Sequence, residues 1–321
     1  MAHPIHEANE NSPYGSLKKE DFYKKHQILH QETYMKNQEN INIFTQTWQP
    51  ADPKSKLKGI VAMIHGYTSE SSWLFELNAV AMAKAGFLCC ALDLQGHGFS
   101  EGPYDHISDI HPLVSDCVHY FDSIHYVHPN LPRFLYGESL GGGIAILICL
   151  KQKTEWKGLI LSGAMCEISR KFKPVWPLEK LLPIAAYFAP SWRIAITSPP
   201  LSKAYKEDWK RKLAENSPNR RTSGKPTAAS ALQFMKTCEY IKRSCHLLEV
   251  PLLVMHGGDD IICDPEGAKY LYETASSKDK SLKILGGVCH QLIGEPNESA
   301  ENIFNAMMAW MEVRADSTTT K

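Results

Sequence analysis

The 321-residue chain has no excess of charge of either sign, because 35 lysines and arginines balance 35 aspartates and glutamates. Proteins whose main partner is a nucleic acid or an anionic membrane typically carry a basic excess. The sequence therefore predicts neither nucleic acid nor an anionic membrane as the main partner.

Sequence signals for export and for metal binding are also missing. The first 22 residues contain no continuous apolar stretch, so we expect neither a secretory signal nor a membrane span there, and we predict that residues 1–25 form a loose polar tail. The nine cysteines include no CxxC pair, and no HExxH motif occurs, which argues against a zinc site or a disulfide framework. We expect free buried thiols, a cytoplasmic location, and no metal or organic cofactor.

What the chain does contain is a regular alternation of short apolar runs and amphipathic helical segments. With 43% apolar residues it can bury a large core. Apolar residues in the helical segments recur every three to four positions, as at Ile303, Met307 and Trp310. This alternation predicts an α/β fold with a mostly parallel sheet flanked by helices. The predicted core strands are 59–65, 87–94, 134–137, 158–163, 251–257 and 282–287, and an antiparallel hairpin is predicted over 29–35 and 41–48.

One long insertion interrupts this alternation between the fourth and fifth predicted core strands. Residues 164–236 are rich in proline and aromatic residues, and the part from 203 to 225 is polar and basic. We predict a cap over the carboxyl edge of the sheet, with 26–163 and 237–315 as the core; the alternative is a surface excursion without a binding role. The basic part is interpreted as a solvated face, and the apolar part leaves peripheral membrane contact open. The aromatic residues of the insertion include Trp176, Tyr187, Phe188 and Trp192.

The strongest local motif is Gly137-Glu138-Ser139-Leu140-Gly141, which lies between a predicted strand and an apolar helix. A strand-to-helix turn this sharp forces the serine into a strained backbone, and its small neighbours avoid clashes there. The turn lifts the Ser139 hydroxyl above the sheet edge, and the helix that follows directs its free N–H groups at developing negative charge. The motif therefore predicts Ser139 as a nucleophile.

A nucleophilic serine needs a base within hydrogen-bond reach and an acid that orients the base. In the fold that this motif indicates, the acid and then the histidine follow later strands. Of the 14 histidines, His290 lies in the loop after the last predicted strand and is our predicted base, whereas His256, at a strand end, is interpreted as packed. The loop after the preceding strand offers Asp259 and Asp260, between which spacing does not decide, while Asp264 fits a helix N-cap.

Several segments carry a resemblance to a known family. They are His65-Gly66-Tyr67-Thr68, Ser72-Trp73, ALDLQGHGFSEG at 91–102, GESLGGG at 137–143, AMCEIS at 164–169, HGGDDIICDP at 256–265, and SKDKSLKILGGVCH with GEP following at 277–296. Together they span nearly the whole chain beyond the first residues. The chain resembles the monoacylglycerol lipase group of α/β-hydrolases, also called serine aminopeptidase S33-like or lysophospholipase-like, and within it the plant caffeoylshikimate esterase-like branch.

The resemblance implies roles for individual residues. The family's acid falls on Asp260, and its oxyanion hole falls on the backbone N–H groups of Tyr67 and Leu140. Two donors fixed before the reaction are worth a few kcal/mol to a tetrahedral oxyanion. We expect His65 to orient the loop that carries Tyr67, and His97 to be structural.

The resemblance also implies an α/β-hydrolase fold with a cap, and hydrolysis of a carboxylic ester through an acyl-enzyme. The candidate substrates are small-molecule esters with an apolar or aromatic acyl group: a monoacylglycerol, a lysophospholipid or a hydroxycinnamoyl ester. Two alternatives stay open, an acyltransferase on the same triad and a non-hydrolytic ligand receptor. The sequence does not indicate an oligomeric state.

Overall fold

The computed structural model describes residues 2–171, 178–194, 203–220 and 225–316. Trp176 of the predicted cap and residues 221–224 of the basic part lie outside the described residues.

Strands and helices alternate along the described chain. The strands are β1 (Ile28–Lys36), β2 (Asn42–Pro50), β3 (Ile60–Ile64), β4 (Leu88–Leu92), β5 (Arg133–Glu138), β6 (Gly158–Ser162), β7 (Leu252–Gly257) and β8 (Lys280–Leu285). The helices are α1 (Lys19–His26), α2 (Glu76–Lys84), α3 (Ile110–Val127), α4 (Leu140–Lys151), α5 (Leu178–Phe188), α6 (Asp208–Glu215), α7 (Ala228–Ser244), α8 (Pro265–Thr274) and α9 (Asn297–Asp316).

The strands form one eight-stranded sheet in the order β1-β2-β4-β3-β5-β6-β7-β8. The β1–β2 hairpin and the β2–β4 pair are antiparallel, and the other neighbouring strands pair in parallel. The predicted mostly parallel sheet and its leading hairpin are therefore confirmed. Because β5, β7 and β8 run in the same direction, the loops that follow them leave the sheet at one edge.

Helices cover both faces of this sheet, as the uninterrupted apolar strands require. Side chains of α3, α4, α7 and α8 fill one face, where Ile144 and Phe121 are buried. Side chains of α2 and α9 fill the other face, where Leu77 and Met311 are buried. The sheet is thus packed between two apolar layers. The loops that follow the parallel strands lie at its carboxyl edge.

The expectation of a loose tail over residues 1–25 is wrong. Ile5 and Phe22 are fully buried against the α2 and α9 face of the sheet. The backbone N–H of His3 also donates to Glu301 on α9, at 3.1 Å. The few apolar residues here are separated by polar ones and show no helical or strand period, so sequence periodicity could not reveal that the segment packs.

The chain between β6 and β7 contains α5, α6 and α7. The predicted end of the insertion at residue 236 falls inside α7, which continues to Ser244 and whose Phe234, Cys238 and Ile241 belong to the main core. The α5 end of the insertion forms a smaller cluster of its own with α7, centred on Leu182. No helix among the described residues combines the length and apolar character that crossing a bilayer requires.

Candidate active site

Ser139 lies at the turn between β5 and α4, in the strained backbone that the motif predicts. Its φ and ψ are 52° and −117°, a left-handed conformation that costs a non-glycine residue energy. The neighbouring glycines make the turn sterically feasible. A Cβ on Gly141 would lie 2.2 Å from the carbonyl oxygen of Ile64, and one on Gly137 would lie 2.5 Å from the carbonyl oxygen of Gly141.

Three sequence-predicted residues meet in one hydrogen-bonded line at the carboxyl edge of the sheet. Ser139 Oγ lies 3.0 Å from His290 Nε2, and His290 Nδ1 lies 2.7 Å from Asp260 Oδ2. Because a carboxylate only accepts hydrogen bonds, Nδ1 carries the proton and Nε2 is free to accept from the serine hydroxyl. The geometry is that of a nucleophile, a base and an orienting acid.

Asp260 accepts four hydrogen bonds, which distinguishes it from Asp259. Its Oδ1 accepts from the N–H groups of Ile262 at 2.8 Å and Cys263 at 3.1 Å, and its Oδ2 accepts from two histidines. Asp259 is exposed, one residue earlier. Asp264 caps α8 by accepting from the N–H of Glu266 at 3.1 Å, as predicted.

Burial and charge act in opposite directions on the two titrating members of this line. Burial alone would raise the pKa of Asp260, but the charge of His290 and hydrogen bonds from His256 and His290 hold that pKa well below its ordinary value. Burial alone would lower the pKa of His290, but the carboxylate of Asp260 raises it above the ordinary value. Asp260 is therefore ionised at neutral pH, and His290 is a stronger base than a free imidazole.

His256 contacts the same acid, a role that sequence analysis missed. It is fully buried at the end of β7, and its Nε2 lies 3.0 Å from Asp260 Oδ2 and 3.2 Å from the carbonyl oxygen of Cys263. Its Nδ1 has no hydrogen-bond partner among the described residues. The signal in the sequence was the four-residue spacing from His256 to Asp260 around two glycines, which turns the loop back onto the strand end.

The predicted oxyanion-hole residues flank Ser139. Leu140 is the first residue of α4, and Tyr67 follows Gly66, whose added Cβ would lie 3.1 Å from Ser139 Cβ. In the described part of the chain, neither the Tyr67 N–H nor the Leu140 N–H donates to an acceptor. Both amides are thus next to the serine and free to donate.

His65 holds the loop that carries Tyr67, as we expected. Its Nδ1 donates to the Gly66 carbonyl oxygen at 2.8 Å, and its Nε2 accepts from the Leu94 N–H at 3.0 Å. Complete burial and the nearby His97 lower the pKa of His65 to about 3, so the ring is neutral and both nitrogens are used. His65 therefore orients backbone and is not available for proton transfer.

The interpretation of the basic part of the insertion as a solvated face is wrong at Lys210. This lysine of α6 is fully buried, and its ammonium donates to the carbonyl oxygens of Ile293 at 2.8 Å and Glu295 at 2.5 Å. Gln291, directly after His290, also donates its N–H to the carbonyl oxygen of Ala204 at 2.9 Å. The insertion thus binds the loop that carries His290.

The Cys263 thiol lies beside the line formed by Ser139, His290 and Asp260. Donor atoms of Asp260, Cys263 and His290 lie within 4.8 Å of one another, a set of types that zinc can bind. Asp260 and His290 bond to each other, however, and burial raises the pKa of the Cys263 thiol well above its ordinary value. We interpret this group as two members of the hydrogen-bonded line and a neighbouring residue, with the thiol in its neutral form.

Comparison with known proteins gives the family. The family model described as serine aminopeptidase, S33, matches residues 55–297. Caffeoylshikimate esterase of Arabidopsis thaliana is 31% identical over 303 residues, which cover 93% of this chain and 90% of that protein. Monoglyceride lipase of Homo sapiens is 29% identical over 292 residues, 89% of this chain and 92% of that protein.

A solved structure gives the same fold. A soluble variant of monoglyceride lipase from Saccharomyces cerevisiae, in complex with a substrate analog, matches with a TM-score of 0.77 at 23% identity, covering 90% of this chain and 96% of that one. The predicted α/β-hydrolase fold is therefore confirmed. The chain belongs to the serine aminopeptidase S33 family of α/β-hydrolases, and it is a carboxylic ester hydrolase of the serine hydrolase class.

Proposed function

We propose that the chain hydrolyses its ester through an acyl-enzyme on Ser139, with His290 as general base and acid and Asp260 as the acid that orients it. The observation that carries the proposal is the unbroken line of hydrogen bonds, 3.0 Å from Ser139 Oγ to His290 Nε2 and 2.7 Å from His290 Nδ1 to Asp260 Oδ2. A serine hydroxyl is a weak nucleophile at neutral pH until such a base removes its proton.

The reaction follows in two halves. Ser139 Oγ attacks the ester carbonyl carbon while its proton passes to His290 Nε2, and His290 then protonates the departing alcohol. A water molecule repeats the sequence on the acyl-enzyme and releases the acid. The raised pKa of His290 favours the first proton transfer, and the ionised Asp260 stabilises the imidazolium that forms.

The N–H groups of Tyr67 and Leu140 are our proposed oxyanion hole. Both neighbour Ser139, and the loop of Tyr67 is held by His65 on one side and by the Tyr67 hydroxyl, which donates to the Asp105 carbonyl oxygen at 2.6 Å. A donor that is already in place needs no reorganisation when the oxyanion forms, and each is worth about 3 kcal/mol in such sites.

The insertion between β6 and β7 is proposed as a cap that lies over this edge and contributes to the substrate site. Its support is that Ala204 and Lys210 contact the segment after His290, while Phe234 packs on Tyr67 with ring centroids 4.9 Å apart. The candidate substrates are a monoacylglycerol, a lysophospholipid and a hydroxycinnamoyl ester such as caffeoyl shikimate. Two of these agree with the names of the relatives, one a caffeoylshikimate esterase and one a monoglyceride lipase.

Comparing the rates on four esters in one assay identifies the preferred substrate. Purified protein is given a monoacylglycerol, a lysophospholipid, a hydroxycinnamoyl ester and a short p-nitrophenyl ester, and the release of free acid is compared with transfer to an added alcohol. We expect free acid as the main product. Transfer as the main product would instead identify an acyltransferase, which uses the same acyl-enzyme.

The nucleophile is tested with a fluorophosphonate probe, which reacts with activated serines. We expect the wild type and Ser123→Ala, a variant at an exposed serine on α3, to be labelled, and Ser139→Ala to be unlabelled. Its kcat should fall on the order of 10⁴-fold or more with the fold intact. A wild type that binds ester tightly without labelling or turnover would favour the receptor alternative.

A further inference from the structure

Lys210 is the one fully buried lysine among the described residues, and it lies in α6 of the insertion. An ammonium group removed from water costs several kcal/mol unless it finds polar partners. The partners here are the carbonyl oxygens of Ile293 at 2.8 Å and Glu295 at 2.5 Å. These carbonyls belong to the end of the 3₁₀ turn Leu292–Gly294, where backbone acceptors lack intrahelical donors.

Other contacts fix the same short segment, which carries His290. The Glu295 carboxylate, itself buried, accepts from the N–H of Cys289 at 2.7 Å, and the Ala204 carbonyl oxygen accepts from the N–H of Gln291 at 2.9 Å. These two bonds hold the backbone N–H groups of the two residues on either side of His290. The N–H of Glu207, at the start of α6, donates to the Gly294 carbonyl oxygen at 3.0 Å.

The charge state of Lys210 fits this arrangement. Burial lowers the pKa of Lys210 to about 8, although the nearby carboxylates of Glu207 and Glu295 act in the opposite direction. At pH 7 the group is therefore still an ammonium, with three donors and no acceptor. Such a cation satisfies two carbonyl oxygens at once, which an apolar side chain of the same size cannot do.

We propose that Lys210 is a positioning residue for His290. Its ammonium clamps the segment 289–295 through the Ile293 and Glu295 carbonyl oxygens and so keeps the imidazole in line with Ser139 and Asp260. The insertion then has a second role besides covering the substrate, because α6 completes the support of the catalytic histidine. This inference rests on the proposed function, since it assumes that His290 is the base.

The test compares two lysine-to-methionine variants on one helix. Lys210→Met removes the buried ammonium, while Lys212→Met removes an exposed one that pairs with Glu10. On a soluble p-nitrophenyl ester, Lys210→Met should lose on the order of 10²-fold in kcat with KM changed by less than about 3-fold, since small misplacements of a catalytic group cost about this much. Lys212→Met should keep its kcat within about 2-fold.

A spectroscopic measurement separates positioning from general destabilisation. The proton that His290 Nδ1 donates to Asp260 Oδ2 should give a low-field resonance in ¹H NMR. This resonance should broaden or vanish in Lys210→Met and persist in Lys212→Met. In Lys210→Ala, added ethylammonium should restore part of the kcat by occupying the vacated site. A folded Lys210→Met with wild-type kcat and an unchanged resonance would overturn the proposal.

A second variant covers the case in which Lys210→Met does not fold. Lys210→Gln keeps amide donors on a side chain one bond shorter, which cannot reach both carbonyl oxygens, so kcat should still fall at least about 10-fold. A wild-type kcat in the folded glutamine variant would contradict the clamp. Ser139→Ala and His290→Ala run in the same assay: activity in these would refute the proposed function itself, whereas inactivity in these with a normal Lys210→Met would refute only the positioning role.

Discussion

Asp260 and Asp259 are chemically identical neighbours whose surroundings differ completely. Asp260 is buried and accepts four hydrogen bonds, two of them from histidines, whereas Asp259 is exposed. We expect Asp260→Asn to lower kcat on the order of 10³- to 10⁴-fold, because an amide cannot stabilise the imidazolium or fix its tautomer. Asp259→Asn should stay within about 3-fold. Steady-state kinetics on a p-nitrophenyl ester measures both, and equal losses would show that Asp260 is not the acid.

His256 should influence how strongly Asp260 interacts with His290, because His256 Nε2 is a second histidine donor to Asp260 Oδ2. In His256→Leu that donor is lost, so Oδ2 becomes a stronger acceptor for His290 and raises the pKa of His290 further. Because catalysis needs neutral His290, the acid limb of the kcat/KM pH profile should move to higher pH. His256→Gln keeps an N–H donor and should leave the limb near its wild-type position. An acid limb that is unmoved in a folded leucine variant would contradict this role.

Sequence analysis could identify only part of this site, for physical reasons. Ser139 follows from the steric demands of its turn and His290 from the order of loops, but Asp260 was chosen over Asp259 by resemblance alone. Lys210 was assigned to a solvated face because lysine is rarely buried without partners. Its partners are backbone carbonyl oxygens more than 80 residues away in the chain, and no local sequence pattern predicts such contacts.

At the scale of elements, buried strands were the most predictable parts of the chain. The run 59–65 contains β3 at Ile60–Ile64, because a parallel strand covered on both faces is an uninterrupted apolar run. The run 282–287 misses the start of β8 at Lys280. This strand lies at the sheet edge and is only half buried, so its polar first residues carry no signal.

Helix α5 presents apolar side chains to solvent, which supports contact with a lipid surface. Leu181, Ile184, Tyr187 and Phe188 are 50–80% exposed, within two turns or so of one another. Because the chain has no net charge, we expect binding to neutral phosphatidylcholine vesicles that persists at high salt, as apolar insertion does. Leu181→Glu with Phe188→Glu should weaken co-sedimentation with vesicles and hydrolysis of vesicle-borne monoacylglycerol, but not hydrolysis of a soluble ester.

A matched pair of substitutions on another helix controls for surface charge. Tyr126 and Val127, at the end of α3, are also exposed apolar residues, but they precede β5 and lie at the opposite edge of the sheet. Tyr126→Glu with Val127→Glu should leave vesicle binding unchanged. Equal losses in the two double variants would refute a specific lipid-facing role for α5.

At the scale of the whole molecule, segments distant in sequence close around the sheet. Ile5 and Phe22 complete one apolar layer, while Trp73 Nε1 donates to the carbonyl oxygen of Leu213 on α6 at 2.7 Å. The same face of the insertion holds Ser217, whose hydroxyl donates to Glu70 in the loop after Tyr67. Contacts of this kind join the first residues, the insertion and the catalytic edge into one unit, and none has a local signature in the sequence.

Glu70 should make the stability of this unit depend on pH. Burial raises its pKa from 4.5 to about 7, partly offset by the hydrogen bond from Ser217. As pH rises above 4.5, the unfolded chain releases the Glu70 proton before the folded protein does. The free energy of unfolding therefore falls until about pH 7 and is constant at higher pH. Glu70→Gln does not titrate, so its advantage in unfolding free energy over the wild type should grow between pH 4.5 and 7 and level off at roughly 1–3 kcal/mol.

Urea unfolding of the wild type and Glu70→Gln at pH 4.5, 6 and 8 measures this difference. Glu249→Gln, a control at an exposed position, should have the same unfolding free energy as the wild type at each pH. A Glu70→Gln advantage that is the same at all three pH values would mean that the carboxyl has the same pKa in the folded and the unfolded chain, and would contradict this prediction.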